Sequence, residues 1–272
     1  MSHPSSSAAL RVVLLTKDNH LGRYLEARLA RTGHLAAVVH EVRLANRQEK
    51  VRYAWKFAKK EGFARTLDVM LYDAYESLFR RGELRRALDA ILPIPPRASA
   101  PGYTLHTVRS LNAPETRELL ASLRPDVFVV HATGILSPKT YELAGTLAMN
   151  IHCGVLPEYR GHASTFWALW NRDVRNVGVS VHEIAKIVDT GRVLRLGRVD
   201  VGPDDTDITA WLRAVKTGVD LTIDVIERLA RGAEPGVATL EGDTGPHYPR
   251  RGFTDYLGYR LGRRPRVKAS TV

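Results

Sequence analysis

The sequence predicts an α/β fold built on a mostly parallel sheet, with a helical insertion and a short C-terminal extension. Three observations predict it. An apolar run, a helical stretch and a second apolar run follow one another within about 30 residues near the start, the pattern of a βαβ unit. Later apolar runs, each bounded by polar or turn-forming residues, repeat that alternation. The 272 residues are 44% hydrophobic and 25% charged, enough apolar material for a sizeable core.

Leu10 to Thr16 is rich in β-branched residues and reads as a buried strand. Asp18 to Thr32 carries Leu21, Leu25, Leu29 and Ala30 at helical spacing, with Gly33 as a stop. Leu35 to Glu41 is a second strand. Positions 46 to 92 break the alternation. Tyr53, Phe57, Phe63, Leu67, Met70, Leu71, Tyr75, Leu78 and Phe79 recur at helical spacing with a break near Gly62, which predicts two or three inserted helices. Four prolines between Pro93 and Pro101 close the insertion. Tyr103 to Val108 resumes as a strand, and Pro114 to Leu123 is a helix with proline near its start. Val127 to His131 is another buried strand, Ser137-Pro138 opens a short helix, and Leu147 to His152 is the next strand. Val177 to His182 and Arg192 to Val201 read as a strand pair around a loop. Asp204 to Ala230 is a long helix with Ile208, Trp211, Leu212, Val215, Val219, Ile223 and Ile226 as its apolar positions.

No apolar run approaches the ~18 residues of a membrane span. Met1 to Ala9 is polar and Ser-rich, without the apolar centre of a secretory signal, and reads as a disordered lead-in. Cys153 is the single cysteine, so no internal disulfide or cysteine-rich metal site is available, which fits a reducing cytoplasm. The net charge is +11 and is concentrated in two blocks. Arg43 to Arg65 holds eight Lys or Arg against two acids, and Pro246 to Val272 holds seven against one. Such blocks either grip phosphates or form solvated faces and a ragged tail.

The chemistry concentrates between 147 and 193. Asn150 and His152 lie two apart on a predicted strand, so their side chains share one face. The C-terminal ends of strands are where open α/β sheets place ligands. Asp189 sits in the loop of the later strand pair and reaches them only through the fold. An amide, an imidazole and a carboxylate suit acyl transfer, because Asn can bond a developing oxyanion, His can move a proton and Asp can orient the His. Cys153 alternates to the opposite face and reads as core rather than nucleophile.

Five elements then follow in order: Asn150-Ile151-His152, Leu156-Pro157, Tyr159-Arg160-Gly161, Gly178-Val179-Ser180-Val181-His182 and Asp189-Thr190-Gly191. This stretch resembles the formyltransferase family that uses 10-formyltetrahydrofolate, and His131 to Pro138 resembles that family's folate-side loop. The resemblance implies a Rossmann-like α/β catalytic domain over 10–201, interrupted by the insertion, with 202–272 as a long helix and basic extension. It implies Asn150, His152 and Asp189 as the catalytic trio, with Asp189 keeping His152 charged. Ile135, Leu136, Ile187 and Val188 would flank the pterin, and Arg160 and His182 would meet substrate. The family commonly has Ser where this chain has Gly154. No metal is required.

The acceptor expected from the resemblance is the amine of a small molecule, either an amino-sugar nucleotide, which is phosphorylated, or a specialised-metabolite intermediate. Methionyl-tRNA formyltransferases carry a C-terminal barrel domain of about a hundred residues, for which the segment after 204 is short, so nucleic acid is disfavoured. A hydrolase of the formyl donor and a basic binding protein on an inactive scaffold are the remaining alternatives. A homodimer is compatible with the sequence.

Overall fold

The sequence folds as an open sheet wrapped by helices, seen in a computed structural model that describes residues 10–42, 47–96, 102–236 and 245–263. The Ser-rich lead-in, the prolines' last stretch at 97–101 and Arg264 lie outside the described residues. β1 (Val12–Thr16) is buried throughout. α1 (His20–Ala30) starts where the Asn19 side chain accepts from the Gly22 amide. β2 (Leu35–Glu41) follows. The insertion consists of α2 (Arg47–Glu61) and α3 (Phe63–Tyr75), which continues through a π-helical stretch (Glu76–Arg80) into α4 (Arg81–Ile91).

β3 (Thr104–Val108), α5 (Pro114–Ser122), β4 (Val127–Val130), α6 (Pro138–Tyr141) and β5 (Leu147–His152) restore the alternation. Then come β6 (Arg160–Gly161), α7 (Ser164–Trp170), β7 (Gly178–Glu183), β8 (Val193–Arg198), α8 (Asp207–Ala230), β9 (His247–Tyr248) and α9 (Phe253–Arg260).

Among the described residues, seven strands form one sheet in the order β3-β2-β1-β4-β5-β7-β8. β3 to β5 are parallel, and β7 and β8 are antiparallel additions at the β5 side. The mostly parallel α/β architecture is the one expected. Strand order reverses between β1 and β4, so the crevice at the carboxyl ends opens between those two strands, with β5 next to β4.

Each sheet face has its own apolar layer. One gathers Leu14, Leu25, Val129, Met149, Trp167 and Val179 with Leu212, Val215 and Val219 of α8. The other gathers Leu15, Val39, Leu120, Phe128 and Leu136. Because α8 buries Ile208, Leu212, Val215 and Val219 in the first layer, the core runs without interruption across positions 201 and 202.

The insertion buries a different helical face from the one its periodicity suggests. Thr66, Val69 and Tyr72 point inward, while Phe63, Leu67, Met70, Leu71, Leu78 and Phe79 are exposed. Polar anchoring is the physical reason. Arg80 is buried and paired with Asp207 of α8 at 2.7 Å, and Arg65 pairs with Asp255 of α9 at 2.6 Å.

The C-terminal segment is likewise not a ragged solvated tail over 245–263. β9 pairs in parallel with β6, and α9 rests on α3. Arg251 bonds Asp207 and Glu76, and Arg250 bonds Asp73. Two charges that read as part of an external basic block, Arg250 and Arg251, are engaged in ion pairs with the insertion and α8. Among the described residues, no helix is long and apolar enough to cross a membrane.

Candidate active site

Asn150 and His152 lie at the end of β5, on the face away from α8. The antiparallel register sets Asn150 opposite His182 and His152 opposite Ser180, so these four side chains share that face. Asp189 comes from the β7–β8 loop and carries a left-handed φ of 56°. Its carboxylate lies between two imidazoles. Oδ2 is 3.5 Å from His152 Nδ1, and Oδ1 is 3.6 Å from His182 Nε2. The fold thus places Asp189 against His152 and against His182, which in turn contacts Asn150.

Hydrogen bonding assigns the tautomers. His182 Nδ1 is 2.7 Å from the Glu183 carbonyl oxygen, which can only accept. Nδ1 therefore carries a proton, and Nε2 lies 3.1 Å from Asn150 Nδ2 and 3.6 Å from Asp189 Oδ1. The contact with His182 orients the Asn150 amide and leaves its second N–H free. His182 is itself buried, so its sequence-based place at the substrate is corrected: it holds Asn150 and faces Asp189.

His152 Nε2 is 2.8 Å from the Tyr159 carbonyl oxygen and 3.3 Å from Ser164 Oγ. The carbonyl can only accept, so Nε2 carries the proton and Nδ1 is the atom that titrates, facing Asp189. Gly154 makes this packing possible. A Cβ there would sit 2.5 Å from the Tyr159 carbonyl oxygen, 2.6 Å from Ser164 Cβ and 2.7 Å from His152 Nε2. The departure from the family's Ser thus goes with a Ser supplied from α7.

Burial would raise the Asp189 carboxyl, but His152, His182 and the Gly161 amide at 3.0 Å outweigh it and hold it well below the usual carboxylate range. Burial pushes the His152 imidazole down from its ordinary value, with Asp189 and the Tyr159 carbonyl opposing. Burial thus works against the standing positive charge expected on His152 and favours the neutral ring.

The remaining expectations divide. Arg160 is 2% exposed and donates to the carbonyl oxygens of Gly245 and Val188, both at 3.1 Å, so it does not reach an acceptor. Leu136 is buried in the core layer beneath the site and offers no side chain to a ligand. Ile135, Ile187 and Val188 are exposed, at 73%, 59% and 39%. Cys153 points to the α8 side, next to Trp211, and burial pushes its thiol up to about 12. Among the described residues, no cluster of three or more His, Cys, Asp or Glu could hold a metal.

Sequence reasoning missed the Tyr159 carbonyl, Ser164 and the C-terminal strand β9. A backbone oxygen leaves no mark in side-chain patterns, and β9 lies some 85 positions beyond its partner β6.

The family model described as formyl transferase matches residues 82–226, more than half of the chain. A methionyl-tRNA formyltransferase from Chlorobium chlorochromatii (strain CaD3) is 33% identical over 138 residues, 51% of this chain and 44% of that protein. The chain therefore spans less than half the length of this curated relative. The fold is similar to that of a sugar N-formyltransferase from a Shewanella species, with a TM-score of 0.52, 13% identity, and 89% and 77% of the two chains covered. It is also similar to glycinamide ribonucleotide transformylase 1 from Symbiobacterium toebii, with a TM-score of 0.54, 15% identity, and 85% and 92% covered. With the matched region running through Asn150, His152 and Asp189, the chain belongs to the formyl transferase family.

Proposed function

We propose that this protein transfers a formyl group from 10-formyltetrahydrofolate to the amino group of a small molecule, with an amino-sugar nucleotide or a related phosphorylated amine as acceptor class. The observation that carries the reading is the convergence of Asn150, His152 and Asp189, with Asp189 3.5 Å from the titrating nitrogen of His152.

In this reading a neutral amine attacks the formyl carbon. A C–N bond forms and the carbonyl electron pair moves onto oxygen. The free N–H of Asn150 bonds that oxyanion. His152 Nδ1 takes up the proton that the attacking nitrogen sheds, and Asp189 stabilises the imidazolium so formed. Collapse breaks the bond to the folate nitrogen, which receives the proton, so atoms and charge balance. The exposed apolar side chains Ile135, Ile187 and Val188 would line the flat pterin on the donor side.

The acceptor class rests on where the basic residues go. Arg250 and Arg251 are engaged with Asp73, Asp207 and Glu76, so these two charges are not free to track a nucleic acid backbone. The 33% identical relative acts on tRNA by its name, so tRNA is the alternative to test. Initiator methionyl-tRNA and amino-sugar nucleotides should be offered side by side with the formyl donor across a salt series. Turnover of a small amine with a shallow salt slope supports the reading. Salt-sensitive formylation of the tRNA alone replaces it.

A further inference from the structure

The motif Tyr159-Arg160-Gly161 makes three consecutive contacts with the catalytic trio's surroundings. The Tyr159 carbonyl accepts from His152 Nε2 at 2.8 Å. The Arg160 guanidinium donates to the carbonyl of Val188, the residue before Asp189, at 3.1 Å. The Gly161 amide donates to Asp189 Oδ2 at 3.0 Å. One short strand thus fixes the imidazole, the loop and the carboxylate together.

That strand is held from its other side by the C-terminal segment. Arg160 pairs with His247 and Gly161 with Tyr248. The His162 amide donates to the Tyr248 carbonyl at 3.0 Å, and the second arm of the Arg160 fork donates to the Gly245 carbonyl at 3.1 Å. Gly161, at φ 91°, is required here, because a Cβ would overlap the Tyr248 carbonyl oxygen. Tyr248 stacks on Tyr159 with ring centroids 5.0 Å apart, and Trp167 Nε1 donates to the Pro249 carbonyl at 2.9 Å.

The segment is in turn bolted to the insertion and to α8. Arg250 pairs with Asp73 at 3.0 Å. Arg251 pairs with Glu76 at 2.8 Å and with Asp207 at 2.6 Å, and its guanidinium lies 4.4 Å from the Tyr72 ring centre. The Thr254 amide and hydroxyl both donate to Asp68. Contacts therefore run without a gap from α3, through residues 245–255, to β6 and on to Asp189.

We propose that residues 245–255 are a strap that sets the catalytic carboxylate, with Arg160 as the positioning residue that ties the strap to the Asp189 loop and the helical insertion as its anchor. The proposal deepens the formyl-transfer reading and rests on it for its kinetic consequence. It gives the insertion and the basic C-terminal segment a shared task that neither sequence pattern assigns.

Two variants and two readouts test it. Arg160→Lys keeps the charge but can reach only one of the two carbonyls. Arg251→Gln loosens the anchor on the side remote from the trio. Thermal unfolding confirms that each stays folded. Both should lower kcat, by tenfold or more for Arg160→Lys and by a few-fold for Arg251→Gln, with KM for donor and amine within about threefold of the unaltered protein. Both should also move the His152 imidazole titration, followed by NMR, to lower pH, because a displaced Asp189 favours the charged ring less. Unchanged kcat and unchanged titration in folded Arg251→Gln would overturn the strap. A raised amine KM at constant kcat in Arg160→Lys would make Arg160 an acceptor contact instead. Should the unaltered protein transfer no formyl group to any amine or tRNA, the functional reading fails by itself, and the His152 titration still decides the strap.

Discussion

Asp189 Oδ2 faces the one nitrogen of His152 that is free to titrate, at 3.5 Å, while the other nitrogen is committed to the Tyr159 carbonyl at 2.8 Å. The pair therefore has a single proton site between an imidazole whose neutral form burial favours and a carboxylate that stays ionised. Replacing Asp189 by Asn keeps the shape and removes the charge. We expect kcat to fall by roughly 10²–10⁴-fold, the range for general acid–base catalysis. In the unaltered protein kcat/KM should fall as pH drops through the depressed His152 value, since protonated Nδ1 cannot accept. In Asp189→Asn that acid limb should move to still lower pH. A limb that moves upward would contradict the pairing.

Gly154 and Ser164 form a second testable couple around the same ring. Gly154→Ser introduces a Cβ 2.7 Å from His152 Nε2 and 2.6 Å from Ser164 Cβ. The variant should lose at least tenfold in kcat, although it restores the residue common in the family. Adding Ser164→Gly removes one obstacle and should recover part of the loss. Steady-state kinetics of both variants checks this, and a fully active Gly154→Ser would show that the ring packs differently.

Cys153 lies beside His152 in sequence yet on the opposite face of β5, with its thiol pushed up to about 12. Cys153→Ala should therefore leave kcat within about twofold. A formyl thioester on the protein, detected by mass spectrometry during turnover, would contradict this.

His131 ties the fold to pH. It is buried at the end of β4, its Nδ1 faces the Ile151 carbonyl at 3.3 Å, and burial pulls its value down to about 4. The unfolded chain, near 6.5, binds this proton first as pH falls. Stability is thus fully present above about pH 6.5 and is lost progressively toward pH 4. Between pH 7 and pH 5 this one group should cost about 2 kcal/mol. Urea unfolding of His131→Leu at both pH values should show a pH-dependent loss smaller by that amount. An identical loss in the variant would assign the acid lability to other groups.

Much of the fold was legible because its signals are local. β2 and β5 end where the apolar runs end, and Gly62 divides α2 from α3 as the broken periodicity suggests. The ordered motif pattern named Asn150, His152 and Asp189 as candidates, and strand alternation alone separated His152 from Cys153. What was not legible depends on long-range pairing. Arg160 and Arg251 look like free charge in the sequence, and only the return of β9 to β6 and the packing of α3 on α9 turn them inward. The same pairing explains why the periodic residues Phe63, Leu67 and Met70 face outward: buried ion pairs at Arg65 and Arg80, not the widest apolar stripe, set which side of α3 packs.

The central claim is that Asn150, His152 and Asp189 act together on a formyl group. A single-turnover experiment tests it most directly: enzyme in excess over 10-formyltetrahydrofolate, a panel of amino-sugar nucleotides and initiator methionyl-tRNA as acceptors, and the same mixtures with His152→Ala and with Asn150→Ala. The account predicts formamide product from a small amine with the unaltered protein, and a rate at least 10²-fold lower in each folded variant. Formyl transfer by His152→Ala within a few-fold of the unaltered protein would contradict it.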